Sequence, residues 1–80
     1  MTKYTAINQA HILIEISESG QQLRLDDDSC WDVYAGFVER SALWASGEMI
    51  NVRPCNDEQY PYRLINIHRN ESVDARLTSS

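Results

Sequence analysis

Cysteine, proline and glycine are scarce in this 80-residue chain, with two, two and three of each, and each scarcity removes a class of protein. Cys30 and Cys55 stand alone, without a CxxC pair, so the chain has neither a disulfide framework nor a zinc ribbon. His11 and His68 are not at zinc-finger spacing, and too few ligands accompany them for such a site. Two reduced, partly buried thiols are expected, and whether they approach each other stays open. Gly20, Gly36 and Gly47 are scattered, so no glycine-rich phosphate loop exists. No apolar run approaches the roughly 20 residues of a membrane span. The start, "MTKYTAINQA", lacks the basic opening and continuous apolar stretch of a signal peptide. A cytoplasmic protein without a membrane partner is expected.

Positive charge is also short, with seven basic against twelve acidic side chains and a net charge of −5. The imbalance sits in residues 1–39, where two basic residues face seven acidic ones; residues 40–80 balance at five each. Such an acidic body repels nucleic acid unless its arginines gather on one face. The 42% hydrophobic content is that of a globular domain. Eighty residues make a single domain, 1–80, with an ordered core over about 10–77 and frayed residues 1–8 and 78–80. A chain this short buries only roughly 60% of its unfolded surface, so every apolar stripe counts.

Period-two alternation dominates. In "AHILIEIS", Ile12, Ile14 and Ile16 share one face, and His11, Leu13 and Glu15 the other. "SESG" is a turn. "QQLRL" aligns Leu23 with Leu25, and "SCWDVYA" aligns Trp31, Val33 and Ala35. "EMINVRP" places Ile50 and Val52 inward and Met49, Asn51 and Arg53 outward, with Pro54 as its stop. "YRLINIHR" has two partly apolar faces, Arg63, Ile65, Ile67 and Arg69 against Tyr62, Leu64, Asn66 and His68. "SVDARLT" points Val73, Ala75 and Leu77 inward. Segment 37–46 reads either as a short helical turn near 38–45, ended by Gly47, or as a loop across one end, with Leu43 and Trp44 as anchors. The expected fold is all-β: a small closed or partly open antiparallel barrel of five to six short strands.

Asp26, Asp27 and Asp28 lie between two alternating runs, and read as a hairpin turn, because a short carboxylate bonds nearby backbone N–H groups and tolerates unusual dihedrals. A calcium loop spaces its acids at alternate positions, with a glycine at the sixth and a glutamate at the twelfth; this stretch does not. Adjacent carboxylates can bind a divalent cation weakly, as a surface property. No metal and no cofactor is expected.

"LRLDDDSCWDV", "LWASGEMINV" and "YRLINIHRNESVDARL" together resemble a set of small bacterial proteins of unknown function. The shared pattern is a hairpin into a Trp-x-Val strand, a Trp-x-x-Gly-x-x-Ile-x-Val block and a Leu-Ile-Asn strand before a last hairpin. The block of Trp44, Gly47, Ile50 and Val52 also resembles part of an SH3-like small barrel. The likeness covers roughly residues 21–77 and implies architecture, with no catalytic residues. Where such proteins often carry glycine at the hairpin tip, this chain has Asp27 or Asp28, which leaves the turn type open.

The binding candidates are Tyr60, Tyr62 and Arg63 in "YPYR", together with His68 and Arg69 at a hairpin tip; aromatics and arginine are enriched at protein interfaces. The alternative is that Pro61 starts a strand and the tyrosines cover its apolar ends. Trp31 and Trp44 read as core, each burying on the order of 150–250 Å². His11 and His68 lack the oriented partner and pocket of a general base. No serine occupies a nucleophile elbow, and neither cysteine has an activating neighbour. A core of strand-borne side chains leaves little room for a pocket of ~300 Å³. The expected function is therefore a non-enzymatic binding or assembly module with a protein partner or a second copy of itself. Arg63, Arg69 and the acidic loop 26–28 would be its charge partners. The alternative is a nucleic-acid-binding barrel using exposed arginines and aromatics, since six of the seven basic residues are arginine.

Overall fold

A computed structural model of the chain describes residue 7 and residues 9–79. Six strands, β1 (Ala10–Ile16), β2 (Gln22–Leu25), β3 (Cys30–Val33), β4 (Met49–Pro54), β5 (Tyr62–Asn66) and β6 (Glu71–Ser79), close into an antiparallel barrel. The strand order is β1-β2-β3-β6-β5-β4, with β4 returning to β1. Two three-stranded meanders, β1–β3 and β4–β6, therefore meet along two seams, β1/β4 and β3/β6. This all-β architecture is the expected small barrel, consistent with an SH3-like fold. Closure satisfies ladder groups that an open sheet would expose at its edges.

Alternation fixes what lies inside. Leu23 and Leu25, Trp31 and Val33, Ile50 and Val52, Leu64, Val73 and Ala75 are all buried. Trp31 is the largest side chain fully removed from solvent. β1 departs from a simple two-face reading. His11 and Leu13 are buried and Ile12 and Ile14 exposed, but a bulge between Leu13 and Glu15 shifts the register against β2. The extra residue breaks the alternation, so Glu15 is exposed and Ile16 returns to half-burial beside the core.

The β2–β3 turn answers the question raised by the three aspartates. Asp28 adopts φ of +66° and its N–H donates to the Leu25 carbonyl at 3.0 Å. Aspartate is among the few non-glycine residues that tolerate this region. Asn70, with φ of +55°, does the same between β5 and β6.

The 34–48 connection joins the two meanders. A 3₁₀ turn, Ala35–Phe37, leads into a single helical turn, α1 (Val38–Ser41). This helix ends well before Gly47, as the chain turns to bring Trp44 inward. Trp44 is 4% exposed and its Nε1 donates to Glu71 at 3.0 Å, whereas Leu43, the other expected anchor, is 71% exposed. Ala35 is exposed too, because it belongs to the 3₁₀ turn and not to β3. The helix rests on the β1–β2 turn at Gly20, whose φ is +77°. Ser41 Oγ donates to the Gly20 carbonyl at 2.6 Å, and a Cβ at position 20 would overlap the Val38 carbonyl and the Ala42 backbone.

β5 ends at Asn66, so His68 and Arg69 lie in the β5–β6 turn. β6 extends to Ser79, beyond the expected end at 77, and Thr78 Oγ1 donates to the Cys30 carbonyl at 3.0 Å. The expected fraying of residues 1–8 falls, apart from Ile7, outside the described residues. Cys30 and Cys55 are free, half-buried thiols. No helix among the described residues is long and apolar enough to cross a membrane.

Candidate functional site

The "YPYR" stretch closes the β4–β5 connection. Asp57 Oδ1 accepts the N–H groups of Gln59 and Tyr60, both at 2.8 Å, and Cys55 N–H donates to the Pro61 carbonyl at 2.9 Å. The loop thus holds Tyr60 against Tyr34, ring centroids 5.2 Å apart and nearly perpendicular. Tyr34 in turn meets Phe37 edge-on at 5.8 Å. Arg76 lies 5.5 Å over the Tyr60 ring and Arg40 lies 5.1 Å over Phe37. An aromatic strip flanked by two guanidinium groups results, with each contact in the range of edge-to-face or cation–π attraction. Tyr34, Phe37 and Arg76 join Tyr60 from distant segments, so sequence adjacency carried no sign of them. Tyr62 is different: it is half-buried and packs edge-on to Trp31 at 5.3 Å, covering the core.

Arg63 pairs with Asp74 at 3.2 Å, and Arg69 with Glu48 at 2.9 Å. These two arginines lie near opposite ends of β5, a five-residue strand roughly 13 Å long. Tyr60, Tyr62 and Arg63 therefore gather at one end of the barrel, and His68, which is exposed, and Arg69 at the other. The five predicted residues do not form one site. The charges of Arg63 and Arg69 are also committed within the chain, and Arg24 pairs with Glu15 and Arg76 with Asp32 as well.

Glu48 centres a small network. Its carboxylate accepts from the Ala45 N–H at 2.7 Å, from Asn66 Nδ2 at 3.1 Å and from Arg69 Nε. Partial desolvation opposes its ionisation, but these donors together outweigh it and hold the carboxyl below its ordinary value. Asn66, fully buried, is satisfied at its other end by the Arg69 N–H at 3.1 Å. The network pins the β5–β6 turn to the start of β4.

The outer face of β1, β4 and the end of β5 carries a feature the strand pattern alone did not assemble. Ile12 is the register partner of Met49, and Ile67 N–H donates to the Met49 carbonyl at 3.0 Å. These three side chains form a row across adjacent strands, 44%, 38% and 52% exposed; Ile14, two residues further along β1, is also exposed, at 40%. The outward position of Met49 was readable from alternation; its alignment with Ile12 and Ile67 required the register.

An open groove of about 490 Å³ runs along Glu15, Ile16, Gln22, Leu23, Arg24, Cys30 and Thr78. It exceeds the ~300 Å³ for which little room was expected; it lies beside the β1 bulge, and its lining reaches Leu23 of the core. His68 does not approach it. Metal-ligating donors converge among the described residues at His11, Asp26 and Asp27, whose ligating atoms lie within 4.8 Å of one another. His11, expected to be solvated or strand-facing without a partner, is instead 6% exposed and turned to that loop. Comparison with protein-family models, with curated proteins and with solved structures finds no match to this chain.

Proposed function

We propose that this chain is a non-enzymatic assembly module that binds protein through the outer face of β1, β4 and the β5–β6 turn. The observation that supports it best is the row of Ile12, Met49 and Ile67, with Ile14 further along β1. Four large aliphatic side chains of β1, β4 and the β5–β6 turn stay exposed in a domain with little apolar area to spare. The aromatic strip of Tyr34, Phe37 and Tyr60 supplies a second contact surface of the residue types favoured at interfaces. The net charge of −5 favours protein over nucleic acid as the partner, and Arg24, Arg63, Arg69 and Arg76 already face carboxylates of the chain itself. On this reading the chain works in the cytoplasm.

Sedimentation velocity across a wide concentration range tests the reading, comparing the unaltered chain with Met49→Lys and Ile12→Lys. Self-association that both substitutions abolish supports it. A chain that stays monomeric, and that captures no partner lost on Met49→Lys substitution, overturns it.

A further inference from the structure

We propose that His11, Asp26 and Asp27 form a binding site for a divalent first-row transition ion of the zinc class. The donors come from two elements. His11 lies on β1, and the two aspartates open the β2–β3 turn. The Asp26 N–H donates to the Ile12 carbonyl at 2.9 Å, and this bond fixes the turn against the strand next to His11. His11 Nδ1 then stands 3.3 Å from Asp26 Oδ1 and 3.8 Å from Asp27 Oδ2. Two ligands about 2.1 Å from one tetrahedral ion are about 3.4 Å apart. The His11–Asp26 separation, a hydrogen bond in the ion-free chain, matches that of ligands around a shared ion; the 3.8 Å separation and the two carboxylates, all within 4.8 Å, would draw in on binding.

The donor set has the right chemistry. One imidazole nitrogen and two carboxylate oxygens suit zinc, cobalt or manganese better than calcium, which takes six to eight oxygens. The two carboxylates match the charge of a divalent ion. The imidazole is almost wholly buried, with its side chain 7% exposed, while Asp26 and Asp27 are 41% and 28% exposed. The site therefore has a rigid inner wall and a solvent-facing opening through which an ion enters and water completes the coordination. Asp27 is oriented from behind: its other oxygen, Oδ1, accepts from Ser29 Oγ at 2.6 Å and Ser29 N–H at 3.1 Å. Such outer-shell bonds aim a ligating carboxylate and raise affinity. Asp28, whose backbone makes the turn, lies outside the donor set.

The site lies on different residues from the apolar row, so its test stands apart from that of the assembly reading. Zinc chloride and cobalt chloride are titrated into the full chain, followed by calorimetry and by visible cobalt absorption. The expected result is one ion per chain, a cobalt spectrum of a mixed nitrogen–oxygen site, and a rise in melting temperature with zinc. Asp26→Asn and His11→Gln should abolish saturable binding, Ser29→Ala should weaken it by about tenfold or more, and Asp28→Asn should leave it unchanged. If His11→Gln fails to fold, the exposed Asp26→Asn decides the matter. Absence of saturable binding, or equal losses from Asp26→Asn and Asp28→Asn, overturns the proposal and leaves an ion pair on an acidic turn.

Discussion

Trp31 Nε1 donates to Ser29 Oγ at 2.8 Å, and the same hydroxyl donates to Asp27 Oδ1 at 2.6 Å. The largest buried side chain is thereby tied to the acidic turn two residues before it. Ser29 is itself buried, at 1% exposure, so its hydroxyl is exchanged for no water if removed. Ser29→Ala should lower stability by about 1–3 kcal/mol through loss of these buried hydrogen bonds. Trp31→Ala should cost about 3–5 kcal/mol and unfold a domain this small. Urea denaturation followed by tryptophan fluorescence measures the first, and circular dichroism the second.

Gly20 holds the helical turn against the β1–β2 turn in a conformation and a space that both exclude a side chain. Gly20→Ala should destabilise by several times the ~1 kcal/mol that Gly and Ala differ at unconstrained positions, because backbone atoms of Val38 and Ala42 must move. The comparison is Gly47→Ala, where φ is +94° but no atom lies near the added methyl. Thermal melts of both should show the larger loss at position 20.

Asp28 occupies the left-handed region with a side chain that gives it no unusual tolerance beyond its type. Asp28→Gly should stabilise the domain by about 0.5–1 kcal/mol, and removing one of three adjacent negative charges acts in the same direction. Asp28→Val should destabilise it, since a β-branched side chain is a genuine outlier at positive φ. Chemical denaturation midpoints decide both.

Glu48 makes stability depend on acidity. Its folded pKa lies below the ordinary value of 4.5, so its contribution is complete above that value and is lost as pH falls through the lowered folded one. Glu48→Gln should therefore destabilise the chain at neutral pH, and the difference from the unaltered chain should shrink steadily below about pH 4. Denaturation midpoints collected from neutral to strongly acid solution test this; a difference that stays constant with pH would contradict it.

The strands were legible because a residue's face follows from parity, and parity survives without knowledge of partners. Leu23 and Leu25, Ile50 and Val52, and Val73 and Ala75 fell inward as alternation requires. Parity failed after Leu13, where the bulge adds one residue that no local signal marks. It also gave no means to choose between Leu43 and Trp44, because the irregular segment 42–47 has no period. His11 beside Asp26, Ile12 beside Met49 and Tyr34 beside Tyr60 share one cause of illegibility. Each is a contact across strands or loops, and each depends on a register or a loop path that composition does not encode.

The division into two three-stranded meanders has a kinetic corollary. Within each meander, neighbouring strands are joined by connections of four to seven residues and can pair early. The β3/β6 seam unites Asp32 and Arg76, 44 residues apart, and must await a large loop closure that gains nothing until both halves exist. Barrel closure is then the slow event. Until it occurs, β1, β3, β4 and β6 present bare edges open to pairing with other chains.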